Sequence, residues 1–263
     1  MQYKQIRVDS LLTEIKTNDK LFGGDYTVDP YQNCEFGCLY CDSSFDKTIY
    51  IKLNAPEILK KELNNLDRGT IIVGSVHDPY QKAEEHYKLT RKILSIIQKS
   101  GFSCHILTKS ELILRDIDIL KKILIPYVTI SITSLNNSII KTLENNISDA
   151  LIRLQTINKL SNLGIKTGIA IMPIIPYICE SELNKIIKLA KDYKAQYILH
   201  KHLELKGDQK LCFFNALRKF NPKLVEKYKK LYRASYKPDK KYISKIDKNV
   251  YELCTKYKIK NGI

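Results

Sequence analysis

The chain has 263 residues, of which 44% are hydrophobic and 27% are charged, a composition typical of a soluble globular protein. No stretch approaches the roughly 18–20 apolar residues that a membrane span requires, and the N-terminus lacks an apolar signal segment, so we expect a cytoplasmic protein without a membrane partner. The formal net charge of +16 is uneven, because residues 201–263 hold 18 Lys and Arg against 6 Asp and Glu.

Strand-like and helix-like stretches alternate through the first 205 residues, which predicts βα units around a parallel sheet. Six strands are too few for a closed eight-stranded barrel, so residues 1–205 are expected to form a partial (β/α)6 TIM-like barrel. The predicted strands cover residues 26–31, 70–75, 102–108, 127–133, 165–172 and 196–203. The predicted helices cover residues 55–66, 82–99, 115–124, 147–163 and 181–193.

The strand patterns stop at about residue 205, and only helical patterns follow, at residues 211–220, 222–232 and 239–257. Because no linker rich in Gly, Ser or Pro precedes them, residues 206–263 are expected to pack on the barrel as a basic helical extension. Its charge has two open interpretations, a polyanionic partner such as a nucleic acid or simply solvated Lys-rich helices.

Tyrosines recur every four residues in this extension, at Tyr228, Tyr232 and Tyr236. On one continuous helix they would form a stripe. Such a stripe either stacks on the bases of a single-stranded nucleic acid or packs the extension onto the barrel.

Three of the seven cysteines, Cys34, Cys38 and Cys41, lie within eight residues just after the first predicted strand. In a reducing compartment, so tight a cluster suggests metal binding rather than disulfides. Three thiolates would leave one iron of a [4Fe–4S] cluster open to a substrate or cofactor. The alternative is a zinc-containing nucleic-acid-binding protein, but zinc normally needs a fourth ligand, and the closest histidine in sequence, His77, lies beyond a predicted helix and strand.

The C-x3-C-x2-C spacing, with Tyr40 before the third cysteine, resembles the signature of the radical S-adenosylmethionine (SAM) superfamily. The flanking sequence resembles the spore photoproduct lyase-like branch of that superfamily, although relatives often carry an aromatic residue where this chain has Asp42. No stretch resembles the DNA-lesion machinery of the lyase. The matching stretches are residues 24–31, 74–81, 107–110 with Arg115-Asp116, 129–133 and 168–176, together with Phe213, Phe214 and the Leu-Cys-x-Lys-Tyr pattern of the tail.

The resemblance implies an enzyme that holds a [4Fe–4S] cluster through Cys34, Cys38 and Cys41 and binds SAM. An external one-electron reductant, flavodoxin-like or ferredoxin-like, would reduce the cluster. Reductive cleavage of SAM would then give a 5′-deoxyadenosyl radical that abstracts hydrogen from a substrate. That substrate stays open between a nucleic acid and a peptide or small molecule. The resemblance also implies that Tyr40 and Lys109 contact the cofactor, with Lys109 neutralising its carboxylate.

Strand alternation predicts which side chains face the interior of the barrel. Lys109 shares a face with His105, and this places Cys104 on the helix-facing side as a buried small hydrophobe. Ser131 and Thr133 share the polar face of the next strand, where they are expected to bind the carboxylate or ribose of the cofactor.

Two further sets of residues are candidates for the substrate side. His200 and His202 share one face of the last predicted strand, and they either line the substrate cavity or are neutral, hydrogen-bonded histidines at the rim. Cys179 lies in the loop after the fifth strand, at the mouth where barrel enzymes place functional loops, and is a candidate catalytic hydrogen donor. The alternative is an inert loop cysteine, because Glu180 gives it no electropositive setting.

Overall fold

A computed structural model describes residues 1–17, 19–41, 43 and 46–263, so the departure at Asp42 lies outside the described residues. The fold is α/β and is built on a mostly parallel sheet. Its strands, in chain order, are β1 (Gln2–Ile6), β2 (Leu12–Glu14), β3 (Tyr26–Val28), β4 (Tyr31–Gln32), β5 (Thr48–Lys52), β6 (Thr70–Val73), β7 (Ser103–Thr108), β8 (Pro126–Ser131), β9 (Lys166–Ile174), β10 (Tyr197–His202) and β11 (Lys260–Asn261).

Eight strands form the main sheet, in the order β2-β3-β6-β7-β8-β9-β10-β11. All neighbours are parallel except β2 and β3. The six predicted strands correspond to β3 and β6–β10, which lie side by side in sequence order. Because these strands are parallel, their carboxyl ends meet at one edge of the sheet, the edge at which α/β proteins bind ligands.

The helices connect and cover these strands. They are α1 (Ala55–Glu62), α2 (Ala83–Tyr87), α3 (Leu89–Lys99), α4 (Ile117–Leu120), α5 (Asn137–Leu143), α6 (Ala150–Asn162), α7 (Leu183–Asp192), α8 (Gly207–Phe220), α9 (Val225–Leu231) and α10 (Lys240–Lys256). The single helix expected at residues 82–99 is divided, because Lys88 adopts a left-handed conformation with φ of 52° between α2 and α3. The short α5 has no counterpart among the predicted helices.

Apolar side chains of the helices pack against one face of the main sheet. Ile106 of β7 and Ile130 of β8 are fully buried there with Leu94 of α3 and Ile157 of α6. Each such side chain contributes about 1.5–3 kcal/mol by leaving water. Cys104 is fully buried in the same cluster, which agrees with the helix-facing position predicted for it.

Five strands were not predicted from the sequence. A separate small sheet pairs β1 with β5 and β5 with β4, and β2 extends the edge of the main sheet. The strand β11 adds to β10 at the other edge, so the expectation that strands end at about residue 205 is wrong. β2, β4 and β11 have two or three residues each, too few to show a hydrophobic alternation.

The C-terminal region contains the helices α8, α9 and α10, but its tyrosines do not form one helical stripe. The helix α9 ends at Leu231, and Tyr228 and Tyr232 are fully buried. Their hydroxyls donate hydrogen bonds to the carbonyl oxygens of Pro176 at 2.6 Å and Leu203 at 3.0 Å. The packing interpretation is therefore confirmed for these two tyrosines, and the interpretation as a base-stacking stripe is wrong, although Tyr236 is 42% exposed.

Within the described part of the chain, none of the helices combines the length and the apolar character that crossing a bilayer demands.

Candidate active site

The three cysteines of the motif line one cavity of about 360 Å³ at the carboxyl ends of the parallel strands. Residues that end several of these strands, or directly follow them, form the wall of the cavity. Gly74 follows β6, Lys109 follows β7, Ser131 ends β8 and His202 ends β10. This edge is the one predicted from the parallel order of the strands.

Backbone hydrogen bonds fix the cysteine loop to its surroundings. The Cys34 amide donates to the carbonyl of Ser43 at 3.0 Å, and the Cys41 amide donates to the carbonyl of Cys38 at 3.0 Å. The Leu39 amide donates to the carbonyl of Leu143, at the end of α5, at 2.9 Å. Gly37 has a φ of 62°, a left-handed conformation that glycine adopts without a steric penalty.

Hydrogen bonds from buried side chains also hold the cysteine loop in place. The fully buried Gln81 accepts from the Glu35 amide at 2.9 Å and donates to the Asn33 carbonyl at 3.1 Å. A Glu35 carboxylate oxygen accepts from the Ala83 amide at 2.7 Å. The sequence stretch 74–81 therefore supports the cysteine loop.

The buried thiols of Cys34 and Cys38 favour the protonated form, which is a poor metal ligand. Burial raises the pKa of Cys34 to about 12 and raises the pKa of Cys38 as well. A bound metal reverses this effect, because a coordinating thiol loses its proton.

The thiols suit a cluster better than a single ion. The described residues include no group of three or more His, Cys, Asp or Glu side chains that could hold one metal ion. A [4Fe–4S] cluster instead spreads its thiolates over separate irons. Three thiols that line one cavity are therefore a donor set that fits such a cluster.

A buried carboxylate, Glu144, organises the cavity wall next to the thiols. Lys109 Nζ lies 3.7 Å from its Oε1, and Arg153 Nη1 lies 3.5 Å from its Oε2. The hydroxyls of Tyr40 and Thr133 donate to Oε1, the latter at 2.9 Å. Arg153 and Glu144 are essentially unexposed and Lys109 is partly buried, so two cations face one carboxylate. Sequence analysis identified neither Glu144 nor Arg153.

The charges in this network outweigh the effect of burial on its pKa values. Burial alone would raise the pKa of Glu144, but the charges of Lys109 and Arg153 hold it below the ordinary value. Burial alone would lower the pKa of Lys109, but the Glu144 charge raises it. Both groups therefore stay ionised at neutral pH.

Tyr40, Lys109 and Ser131 line the cavity together with the cysteines. Thr133 does not line it, because its hydroxyl is directed to Glu144. A residue that sequence analysis missed, the partly buried Asp78, accepts from the Lys109 amide at 2.7 Å and so fixes the end of β7.

The two histidines of β10 share one acceptor. Nε2 of His200 and Nε2 of His202 lie 3.1 Å and 2.7 Å from Asp247 Oδ1 in α10. Only His202 of this pair lines the cavity. Burial lowers the pKa of His200, while Asp247 acts in the opposite direction. The substrate role of the pair stays a prediction, with His202 the better placed member.

Cys179 lies outside the residues that line the cavity. It is fully buried among apolar side chains that include Ile175, Phe213 and Tyr228. Burial raises the pKa of its thiol to about 12, which keeps it protonated. The structure does not bring Cys179 to the cysteine motif, and its catalytic role stays a prediction.

Comparison with known proteins identifies the family. The sequence profile of the Radical SAM superfamily matches residues 28–190, more than half of the chain. The chain belongs to this superfamily. Its members are enzymes that use a [4Fe–4S] cluster and SAM and need an external reductant, and these statements hold for the present radical SAM enzyme.

Relatives in sequence include uncharacterised proteins. One from Mycobacterium tuberculosis (strain ATCC 25618 / H37Rv) is 26% identical over 254 residues, which cover 89% of this chain and 75% of that protein. One from Methanocaldococcus jannaschii is 32% identical over 173 residues, which cover 62% of this chain and 65% of that protein.

Solved structures of radical SAM proteins share the fold. A spore photoproduct lyase mutant with bound SAM and dinucleoside spore photoproduct gives a TM-score of 0.71 at 15% identity, covering 92% of this chain and 76% of that one. SuiB of Streptococcus suis bound to SAM gives a TM-score of 0.60 at 13% identity, covering 88% of this chain and 47% of that one. At these low sequence identities, the structural similarity shows that this radical SAM enzyme shares the fold, and it shows nothing beyond the fold.

Proposed function

We propose that Cys34, Cys38 and Cys41 hold the [4Fe–4S] cluster at the cavity. The proposal depends chiefly on one observation, that the three thiols and Lys109 line the same cavity at the carboxyl ends of the parallel strands. We further propose that these strands form a partial (β/α)6 barrel, closed at one side by a helical C-terminal extension. When bound, the cluster and SAM supply a 5′-deoxyadenosyl radical that removes a hydrogen atom from the substrate.

The protein side chains around the cavity then bind and orient the cofactor. Lys109 is suited to bind the carboxylate of SAM, because its cationic side chain lines the cavity together with the thiols and is held there beside Glu144. Ser131 adds a hydroxyl on the next strand, and Tyr40 lies beneath Lys109, whose Nζ is 5.9 Å from the centre of the tyrosine ring.

An apolar wall limits the access of water to this site. Leu21, Phe22, Leu107 and Met172 line the cavity and pack on the buried ring of Tyr197 and its neighbours. Excluding water protects a reactive intermediate from side reactions. The extension contributes Gln209, whose side-chain amide donates to the carbonyl of Tyr40 and so joins α8 to the cysteine loop.

The proposed chemistry is tested on the anaerobically reconstituted protein. Dithionite reduction in the presence of SAM should yield 5′-deoxyadenosine and methionine, slowly even without a substrate, as measured by liquid chromatography and mass spectrometry. A reduced, cluster-loaded protein that leaves SAM intact would contradict the proposal.

Replacing Lys109 by Met should weaken SAM binding roughly ten- to a hundredfold while leaving the iron content unchanged, because one charged hydrogen bond is worth about 1.5–3 kcal/mol. Equilibrium dialysis of radiolabelled SAM against the oxidised protein measures the affinity without turnover. Lys166→Met, at an exposed lysine at the start of β9, is the matched control. Equal affinities in the two variants would show that Lys109 does not bind the cofactor.

We propose a nucleic acid as the substrate class, because the mouth of the cavity is basic. Lys201, Lys206 and Lys237 lie 3.9, 3.0 and 3.3 Å from a single carboxylate, Glu204. Lys206 and Lys237 also lie 5.0 and 5.5 Å from the ring of the exposed Tyr236. Cations beside an exposed aromatic ring are a common arrangement for holding a single strand. A peptide or small molecule is the alternative.

Short DNA and RNA oligonucleotides should bind at low salt, with log affinity falling by about 0.7 per neutralised phosphate for each unit of log salt concentration. Changing Lys201, Lys206 and Lys237 to Gln should make that slope less negative, as measured by fluorescence anisotropy. The same change at Lys240, Lys241 and Lys245, which are exposed on α10, is the control. Absence of binding at low salt would contradict a nucleic-acid substrate and favour a peptide or a small molecule.

A further inference from the structure

A second cavity, of about 510 Å³, lies on the outer surface of the protein between α3 and α4. We call it the α3–α4 groove. The active site described above uses none of its residues. Its charged lining consists of Lys88, Arg91, Lys92, Lys99, Asp118 and Lys122.

The lysines of the α3–α4 groove form a continuous basic stripe. Lys92 and Lys99 are spaced seven residues apart, so they share one face of α3, opposite the buried Ile93 and Ile97, and Lys88 directly precedes the helix. From Lys92 to Lys99 the stripe is about 10 Å long, at 1.5 Å per helical residue. Lys122 adds a fourth ammonium group from the other side of the groove.

These charges are not neutralised by neighbouring groups. The only acidic side chain that lines the groove in the described part of the chain, Asp118, is bound by both terminal nitrogens of Arg91, at 2.9 and 2.8 Å. Among the described residues, no carboxylate forms an ion pair with any of the four lysines. Four exposed cations close together attract a polyanionic partner and speed its association.

A chain of partly buried hydrogen bonds runs from the groove to the cysteine segment. Arg91 donates to Asp116 at 2.8 Å, and Asp116 is bound in turn by Arg115. Arg115 donates to the buried Glu84 at 2.5 Å, which accepts the hydroxyl of Tyr31, three residues before Cys34. The groove is therefore linked to the outer side of the cysteine segment, whereas the proposed substrate mouth lies at β10, three strands from β7.

We propose that the α3–α4 groove docks an acidic one-electron carrier protein that reduces the cluster, an inference that rests on the function proposed above. The carrier loses one electron and the cluster gains it, so no bond forms or breaks. Complexes of this kind are small, often below about 1,200 Å² of buried surface, and are steered by charge. Because the electron would enter from the groove and not through the cavity, the substrate cavity would stay free during reduction.

The test replaces Lys92, Lys99 and Lys122 by Glu in the reconstituted, full-length enzyme. A reduced acidic flavodoxin serves as the probe, and 5′-deoxyadenosine formation is the readout. At low ionic strength the KM for flavodoxin should rise about tenfold or more, because electrostatic steering changes association rates by about 10–10³-fold. The rate with dithionite, a small reductant that needs no docking surface, should stay unchanged.

The control variant carries Glu at Lys240, Lys241 and Lys245, the same change in net charge at a different surface. Its KM for flavodoxin should match that of the unaltered enzyme. Equal KM values in the groove and control variants would overturn the proposal. So would a groove variant that loses oligonucleotide binding but keeps its KM for flavodoxin, because the groove would then contact nucleic acid.

Calorimetric titration with oxidised flavodoxin separates the two proposals, since it requires no turnover. An unaltered protein that cleaves no SAM with dithionite fails the proposed function. In that case the docking site is still supported if the unaltered protein and the control variant bind flavodoxin and the groove variant does not. The docking proposal is overturned if the unaltered protein does not bind flavodoxin.

Discussion

Replacing Cys38 by Ala is expected to leave the protein colourless and unable to convert SAM to 5′-deoxyadenosine. Purified without oxygen, the unaltered enzyme should be brown and hold about four irons and four sulfides per chain. In the proposed site, one iron of the cluster would stay open to the cofactor, and each of the other three irons would depend on one thiolate. Cys34→Ala and Cys41→Ala should therefore have the same effect, as measured by iron and sulfide analysis and by electron paramagnetic resonance.

Cysteines away from the cavity provide the controls. Cys212 is exposed and Cys254 is buried in α10, and neither lines the cavity, so Ala at either position should retain the full iron content. Anaerobically prepared protein with stoichiometric zinc and no iron would contradict the assignment. Cys179→Ala should also keep the cluster. Loss of substrate turnover alone in that variant would support the predicted role of Cys179 as a hydrogen donor.

The core of the fold could be predicted from the sequence because its signals are local. Strands β6–β10 are mostly apolar runs, and each is followed or preceded by a helix of ten or more residues. Parallel order then follows from the alternation itself. The short strands β1, β4 and β11 depend on partners far away in sequence, such as β11 with β10, so no local pattern marks them.

The cysteine motif could also be recognised, whereas its electrostatic surroundings could not. Glu144 follows the unpredicted helix α5, and nothing in its local sequence separates it from an exposed glutamate. Arg153 does carry a signal, because it lies on the face of α6 that also contains Ala150, Leu154 and Ile157. An arginine in such a position needs a buried acidic partner. Identifying Glu144 as that partner required the tertiary structure.

The histidine pair shows the same limit. Alternation correctly placed His200 and His202 on one face of β10. Their shared acceptor, Asp247, is 45 residues away from His202 in the sequence, on α10. In the tail, tyrosine periodicity indicated a stripe only under the assumption of one continuous helix, and the break after Leu231 invalidates that assumption.

Replacing Glu144 by Gln is expected to destabilise the fold by about 3–5 kcal/mol, because it leaves Lys109 and the fully buried Arg153 without a compensating charge. For a chain of this size the melting temperature should fall by roughly 10 °C. Glutamine keeps the shape of the side chain and an acceptor for Tyr40 and Thr133, so the loss reports the charge. Differential scanning calorimetry of the variant and the unaltered protein measures it.

The control is Glu226→Gln, at an exposed ion pair in which Lys229 Nζ lies 2.7 Å from the carboxylate. Exposed pairs contribute about 0–1 kcal/mol, so its melting temperature should hardly change. A Glu144→Gln variant as stable as this control would show that the buried network does not stabilise the fold.

The pH dependence of stability provides an independent test of the role of Glu144. Because the pKa of Glu144 is lowered in the folded protein, its stabilising contribution is present above the ordinary pKa of a glutamate and is lost as the pH falls through the lowered value. The difference in melting temperature between the unaltered protein and Glu144→Gln should therefore be largest near neutrality and should narrow in acid. A difference that stays constant down to the lowest pH at which both proteins fold would mean that the ionised carboxylate is not the stabilising group.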